Sequence, residues 1–237
     1  MKEIFYTISD EVFSSFPGYV RGVVVGWGLE NGPSPEVLTA MLRDAESSLR
    51  ERMGTTNPAE HPRIASWREA FRKTGVKPAE FRSSIEAMTR RVVKGQELPS
   101  INALVDIGNV LSLRHLVPTG GHSLDDVKDD IALRPADGEE VFVPFGETEE
   151  EHPLPGEFIF VEGNTVLTRR WSWRQANHTL TLPETKSIEF NVDGLPPVER
   201  DEVEKICCEL EELVKRFCGG TFRREILCAS NPRMSLS

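Results

Sequence analysis

The stretch INALVDIGNVLSLRHL, residues 101–116, constrains the fold more than any other part of this 237-residue chain. Its spacing predicts a helix with Ser100 as N-cap and a stop before Pro118. Ile101, Ala103, Leu104, Val105, Ile107, Val110 and Leu111 put apolar groups on nearly every side of it. Such a helix must be covered on several sides, so it is expected at the centre of the domain and not on its surface. Three polar residues interrupt the pattern: Asn102, Asp106 and Asn109 are spaced by four and three positions and share one face. Buried amides and carboxylates need partners, so the triplet either satisfies protein backbone or lines a polar pocket.

The elements on either side differ in kind. Before the helix, strands are expected at 3–8 and 19–26, where YVRGVVVGWG is rich in valine. A helix then follows Pro35, with Val37, Met41, Ala45 and Leu49 at four-residue spacing. Asn57 and Pro58 read as cap and first residue of a second helix, which carries Ile64, Trp67 and Phe71 and stops at Gly75. A third begins near Pro78 and ends at Gly95, and on it Arg82, Glu86 and Arg90 predict an ion-paired face. After the central helix, short Val/Phe/Ile runs at 131–133, 140–145, 157–161, 165–173 and 187–192 predict strands joined by Pro/Gly turns. A long helix over 197–217, halted by Gly219 and Gly220, leads to a last strand, FRREILC. This order implies one α+β domain, in which strands and a helix from residues 1–60 pack on a main domain at 61–237.

Hydrophobic residues at 38% and charged residues at 28% match ordinary globular usage. No apolar run approaches the roughly 20 residues that span a bilayer, and MKEIFYTISDEVF lacks the basic-then-apolar order of a secretion signal. A cytoplasmic protein without a membrane partner is expected. The formal net charge of -10 hides an asymmetry. Residues 61–94 hold nine Lys/Arg against three Glu, a net of +6, whereas residues 125–162 hold thirteen Asp/Glu against two Lys/Arg, a net of -11. Such a chain can hold a few phosphates on one face but should not bind duplex nucleic acid tightly, because that affinity scales with the phosphates neutralised. Cys207, Cys208, Cys218 and Cys228 have neither zinc-site spacing nor a neighbouring histidine, so buried reduced thiols are expected.

Four segments carry possible chemistry. In LVPTGGHSLDD two glycines permit close backbone approach to a ligand, and His122 is either a general base or a turn residue. No Gly-x-Ser-x-Gly elbow, P-loop or dinucleotide fingerprint is present. The run ETEEE before His152 reads as a solvated acidic turn and not as a metal site. In TRRWSWRQ, strand alternation puts Arg169, Trp171 and Trp173 on one face and Arg170, Ser172 and Arg174 on the other. The tryptophans would then be core. The arginines would either clamp a carboxylate or phosphate or answer the carboxylates of residues 125–162.

The segments RSSIEAMTRRVVKGQELPSINALVDIGNVLSL, LVPTGGHSLDDV, IALRPADGEE, PGEFIF and VLTRRWSWRQ occur in an order that resembles the B3/B4 domain of the bacterial phenylalanyl-tRNA synthetase beta subunit, in a free-standing form, over residues 67–219. The resemblance implies an α+β fold, a β-sandwich of unusual topology flanked by helices. In the synthetase this domain accepts the aminoacylated end of tRNA and hydrolyses the ester when the amino acid is wrong. A trans-acting aminoacyl-tRNA deacylase is therefore implied. The alternative is a module that keeps the pocket and binds an amino acid or aminoacyl ligand without catalysis. The partner is an aminoacyl-tRNA or a free amino acid, with no cofactor and no metal.

By position, Asn102, Asp106 and Asn109 match the synthetase helix whose first Asn borders the pocket, and residues 119–122 match, in shifted register, a loop with a pocket histidine. The resemblance thus makes His122 the candidate catalytic residue. Asn102, Asp106, Asn109, Gly120, Gly121, Arg170, Arg174 and Gln175 are the candidate substrate-binding residues, and Arg82, Arg90 and Arg91 the candidate tRNA contacts. The chain departs from the family where a Ser-Glu pair reads the tyrosine hydroxyl: it has RRWSWRQANHT instead, with no glutamate before Glu184. The synthetase's ATP-dependent activation domains have no counterpart here.

Overall fold

The computed structural model describes residues 3–236. From the N-terminus these form β1 (Phe5–Ile8), α1 (Asp10–Ser15), β2 (Val20–Trp27), α2 (Glu36–Met53), α3 (Pro62–Lys73), α4 (Ser84–Val93) and α5 (Ala103–His115). Next come β3 (Thr119–Ser123), β4 (Ile131–Pro135), β5 (Phe158–Glu162), β6 (Thr165–Arg169) and β7 (Arg174–Gln175). The chain ends with β8 (Ser187–Gly194), α6 (Arg200–Cys218), β9 (Thr221–Leu227) and β10 (Arg233–Ser235).

The fold is α+β, with two sheets flanked by helices. One sheet has the order β10-β1-β4-β5-β6-β7 and the other β3-β8-β2-β9. Among the described strands, β1 and β4 form the one parallel pair. The early strands are interior to both sheets: β1 lies between β10 and β4, and β2 between β8 and β9. As its sequence demands, α5 is covered by α2, α6 and β3. On β2, a Cβ at Gly22 would come within 2.2 Å of Cys207 Sγ, so the glycine is what lets α6 lie directly on the strand. Burial in that contact pushes the Cys207 thiol up to about 12, an inert packing group. Among the described residues no helix is long and apolar enough to cross a membrane.

Several boundaries differ from the sequence reading. The N-cap of α5 is Asn102, whose Oδ1 accepts from Val105 N at 3.1 Å, while the Ser100 hydroxyl bonds Asp106. The helix expected from Asn57 is interrupted after a short turn at Pro58–Glu60 and restarts with His61 as cap. The helix expected from Pro78 begins only at Ser84, so Arg82 precedes it and takes no part in its ion pairs. Glu86 pairs instead with Arg90 at 2.8 Å and with Arg68 of α3 at 2.7 Å.

Residues 140–145 are not a strand: the Glu140 carboxylate accepts from the N–H groups of Asp137 and Gly138 and from Arg134, which closes a turn. Phe142 in this loop covers Ile159, Val161 and Val166 on the outer face of the larger sheet. Conversely, residues 119–123 form a strand and not a turn, because β8 supplies a partner along their whole length. Helix α1 had no expectation in the sequence reading.

Candidate functional site

The site grows from the alternation of β8. Its Ile188, Phe190 and Val192 face the helix layer, and Glu189, Asn191 and Asp193 point the other way, between the two sheets. Arg21 stands opposite Asp193 on β2 and is fully buried. Its Nε donates to Asp193 Oδ1 at 2.7 Å and to Tyr19 Oη at 2.8 Å, its Nη2 to Asp193 Oδ2 at 3.0 Å, and its Nη1 to Tyr6 Oη at 2.7 Å. A buried guanidinium is tolerated here because its charge meets a carboxylate with fork geometry. Phe160 of β5 closes the space from below, 5.3 Å from the guanidinium carbon. Further along, burial drives the Glu189 carboxyl up to about 8 against the pull of Arg21, so it is mostly protonated at neutral pH. Its Oε1 accepts from Asn191 Nδ2 at 3.2 Å, and its Oε2 has no protein partner.

His122 lies beside this cluster on the edge strand β3. Its Nδ1 is 2.7 Å from Thr179 Oγ1 and its Nε2 is 3.3 Å from Thr168 Oγ1. Burial first, then the charges of Arg21 and His178, depress the imidazole to about 3. A ring so reluctant to take a proton is a poor general base at neutral pH, and with both nitrogens engaged it ties β3 to the neighbouring segments.

The expected strand alternation of TRRWSWRQ ends early. After Arg169 the backbone turns through Arg170 (φ 47) and Trp171 (φ 63), left-handed conformations that cost bulky residues about 1–3 kcal/mol each. Main-chain bonds hold the turn: Trp171 N donates to Phe158 O at 2.8 Å and Ser84 N to Ser172 O at 2.8 Å. Trp171 is core, with its ring centroid 4.8 Å from Phe16, 4.8 Å from Tyr19 and 5.0 Å from Trp67. Trp173 is not; it is half-buried against Phe81, 4.9 Å away. The arginines answer the acidic segment: Arg169 pairs with Glu157 at 2.9 Å and Glu151 at 2.7 Å, and Arg174 with Glu147 at 2.5 Å. Arg170 stacks on Phe81 at 3.7 Å, with Glu157 3.7 Å away.

These elements enclose an inner cavity of about 200 Å³ between the sheets. Arg21, His122, Asn191 and Asp193 line one side, Phe160 and Thr168 the other, and residues 171–175 the mouth. An outer, largely apolar cavity of about 600 Å³ adjoins it, lined by Leu104, Val105, Leu180 and Phe190 with exposed Ile101, Phe145 and Leu182 at the rim. Asn109, Thr119, Gly120, Gly121, Arg174 and Gln175 border both. A third groove, about 430 Å³, runs past Arg82, Arg90, Arg91 and Lys94. Met88 borders this groove and the inner cavity alike. Among the described residues, no group of three or more His, Cys, Asp or Glu is placed to hold a metal ion.

A family model described as the B3/4 domain matches residues 66–219. The chain belongs to the B3/4 domain family. It is also similar to an N-terminal fragment of the phenylalanyl-tRNA synthetase beta-subunit from Pyrococcus horikoshii, at 14% identity and a TM-score of 0.47, over 94% of this chain and 51% of that one. The chain thus spans about half the length of that fragment. No curated protein matches it.

Arg21 is the one lining residue named above that lies outside the B3/4 span, so the preceding segment completes the inner cavity. Of the residues singled out from sequence, Asn109, Gly120, Gly121, His122, Arg174 and Gln175 meet at the inner cavity. Arg82, Arg90 and Arg91 share the basic groove. Asn102 and Asp106 line neither of these two cavities nor the basic groove. Asn102 Nδ2 donates to Thr181 O at 2.8 Å, and Asp106 accepts from Ile101 N at 3.0 Å and from the hydroxyls of Ser34 and Ser100. Both serve the start of α5, the first of the two alternatives for that triplet. Arg170 lines neither cavity, and Arg170 and Arg174 hold separate partners without forming a clamp.

Sequence reasoning missed Arg21, Asn191 and Asp193. A signal existed: a lone arginine inside a valine run, and a polar alternation in IEFNVDG, each ask for a buried partner.

Proposed function

We propose that this B3/4 chain is a trans-acting aminoacyl-tRNA deacylase, which takes the charged end of a tRNA and releases the amino acid. The observation that carries this reading is the adjacency of a polar inner cavity, an apolar outer cavity and a basic groove, joined through Asn109 and Met88. Water adds to the ester carbonyl and the bond to the ribose oxygen breaks; one proton of the water goes to that oxygen to give the ribose hydroxyl, the other is released to solvent, and the amino acid leaves as its carboxylate. An activated ester asks mainly for positioning and for donors to the developing oxyanion.

The Asn109 carboxamide stands at the junction of the two cavities. Just before β3, Pro118 O accepts from Asp193 N of β8, and the pairing of Gly120 with Asn191 continues this pattern along the two strands. The alternation turns the Gly121 main chain to the opposite, cavity side. There its carbonyl is held by Gln175 Nε2 at 3.2 Å, and its N–H is a donor for a substrate oxygen. His122 acts in this reading as a positioning residue. Arg82, Arg91 and Lys94 would meet a few phosphates of the acceptor end, and a charged-tRNA substrate goes with a cytoplasmic location.

The neutral, fully engaged His122 favours a second reading, a module that binds an amino acid or aminoacyl ligand without hydrolysing it. A screen of tRNAs charged with different amino acids separates the two. The deacylase reading expects hydrolysis of one or a few, reduced about 10²- to 10³-fold in kcat by Asn109→Ala. It also expects Arg91→Glu to raise KM and flatten its salt dependence. If every charged tRNA stays at the spontaneous rate while a free amino acid binds saturably, the module reading stands and the enzyme is ruled out.

A further inference from the structure

We infer that the outer edge of β9 is a self-complementary interface, to which a second copy of this chain adds its own β9 antiparallel across a twofold axis centred on Arg224. The two four-stranded sheets then run on as one. This goes beyond the proposed activity and does not depend on it, because β9 borders neither cavity nor the basic groove.

An open strand edge presents unpaired N–H and C=O groups, and proteins shorten, cover or break such edges. Three of the four sheet edges here are managed in that way. β7 and β10 have only two and three residues. On β3 the Thr119 N–H donates to Ser112 Oγ and the Ser123 N–H to Thr179 O, both at 3.1 Å, which leaves a gap only at Gly121. β9 has seven residues, no proline, and a register against β2 without a bulge. The Asp193–Pro118 bond sets the alternation of its main-chain groups. Carried across β8 and β2, that alternation turns the main chain of Arg223 and Glu225 toward β2 and that of Phe222, Arg224 and Ile226 outward. The bond from Asn231 Nδ2 to Ile226 O, 3.3 Å, agrees with this direction. Among the described residues, the outward N–H groups of Phe222, Arg224 and Ile226 have no partner within the chain.

The side chains choose the occupant and the register. Phe222, Arg224 and Ile226 share the α6 face of β9, where Arg224 pairs with Glu211 at 2.5 Å. Arg223 and Glu225 share the other face and pair with one another at 3.2 Å. A twofold axis at Arg223 would set that arginine against its own copy, and an axis at Glu225 would bring two carboxylates together. Like charges directly opposite destabilise a strand pair. An axis at Arg224 instead puts Arg223 opposite the partner's Glu225, twice, in the non-hydrogen-bonded positions where side chains come closest. Four charges then alternate in sign along that face. On the α6 face Phe222 meets the partner's Ile226, and each Arg224 keeps its own Glu211 as counter-charge. Every outward N–H from Phe222 to Ile226 finds a carbonyl, since the Ile226 oxygen has a second lone pair beside the one Asn231 uses. The charge pattern of β9 is thus its own complement when reversed, which is what a second copy supplies.

The test is the mass of the full chain in solution, followed by sedimentation velocity as its concentration rises to about 100 μM. The native chain should approach twice the monomer mass. Arg223→Glu and Glu225→Arg each set like charges opposite one another, and each should raise the dissociation constant about tenfold or more. An equal mixture of these two variants restores both opposite-charge pairs between unlike chains, so it should dimerise as the native chain does. Arg224→Pro removes an outward N–H that makes no bond within the chain, a change an edge strand tolerates. It should abolish the dimer while far-UV circular dichroism stays native. A native chain that remains monomeric at about 100 μM overturns the inference. So does a dimer that withstands either charge reversal or a folded Arg224→Pro chain, and so does a mixture that fails to restore what the single reversals lose. If Arg224→Pro does not fold, the reversals and their mixture decide alone.

Discussion

Along β8, Ile188, Phe190 and Val192 face the helix layer, while Glu189, Asn191 and Asp193, one residue out of phase, face the second sheet. Both sets are buried, yet they are stabilised by different physics. The first gains from area removed from water and needs only a matching shape. The second depends on complements for its polar groups: Asp193 is answered by Arg21 of β2 and by the Tyr19 hydroxyl, and Arg21 in turn by Tyr6 of β1. One strand therefore serves as scaffold on one side and as cavity wall on the other. A loss of shape and a loss of complement should show up in different measurements.

The largest effects are expected where the complement is removed outright. Arg21→Leu leaves the buried Asp193 carboxylate without its counter-charge, with only the Tyr19 hydroxyl still donating to it, and should cost about 3–5 kcal/mol in urea unfolding. Phe190→Ala, which removes shape on the opposite face, should cost a similar amount, about 3–5 kcal/mol. A cost below about 1 kcal/mol for Arg21→Leu would show that the polar face tolerates an unpaired charge, and the contrast would collapse.

The second effect is one of pH. Glu189 has a folded value of about 8 against an ordinary 4.5, so its contribution is fully present below 4.5 and is lost as pH rises through 8. His122 runs the other way, with about 3 against an ordinary 6.5: its contribution is present above 6.5 and is lost as pH falls toward 3. Unfolding free energies measured from pH 4 to 9 should therefore fall on the alkaline side, and Glu189→Gln should level that fall. If the variant keeps the same alkaline slope, Glu189 is not the group responsible. Phe190→Ala should lower the whole curve without changing its form.

The smallest effect concerns the polar residues of α5. Asn102→Ala should cost about 0.5–2 kcal/mol through the lost cap, with no change in which amino acid is preferred. A changed preference would put Asn102 in the site after all.

How much of this was legible in the sequence depended on distance along the chain. The burial of α5, the α+β order and the basic segment around Arg90 follow from local periodicity and composition, and the comparisons agree on the family. What failed was local preference overruled from afar. Gly120 and Gly121 read as a turn because glycine seldom favours a strand, but β8, about 70 residues on, pairs with them. Arg21 made no sense alone because its carboxylate lies 172 residues away. The strand expected to reach Trp173 stops at Arg169, since Trp171 is drawn into an aromatic cluster of Phe16 and Tyr19, between α1 and β2, and Trp67 of α3.

The turn at 170–173 is fastened by its main chain, to Phe158 and Arg169 on the sheet side and to Ser84 on the helix side. Its path therefore depends little on which side chains stand at 172 and 173. Both positions line the inner cavity, so substitutions there alter its wall while the main-chain fastening of the turn stays in place.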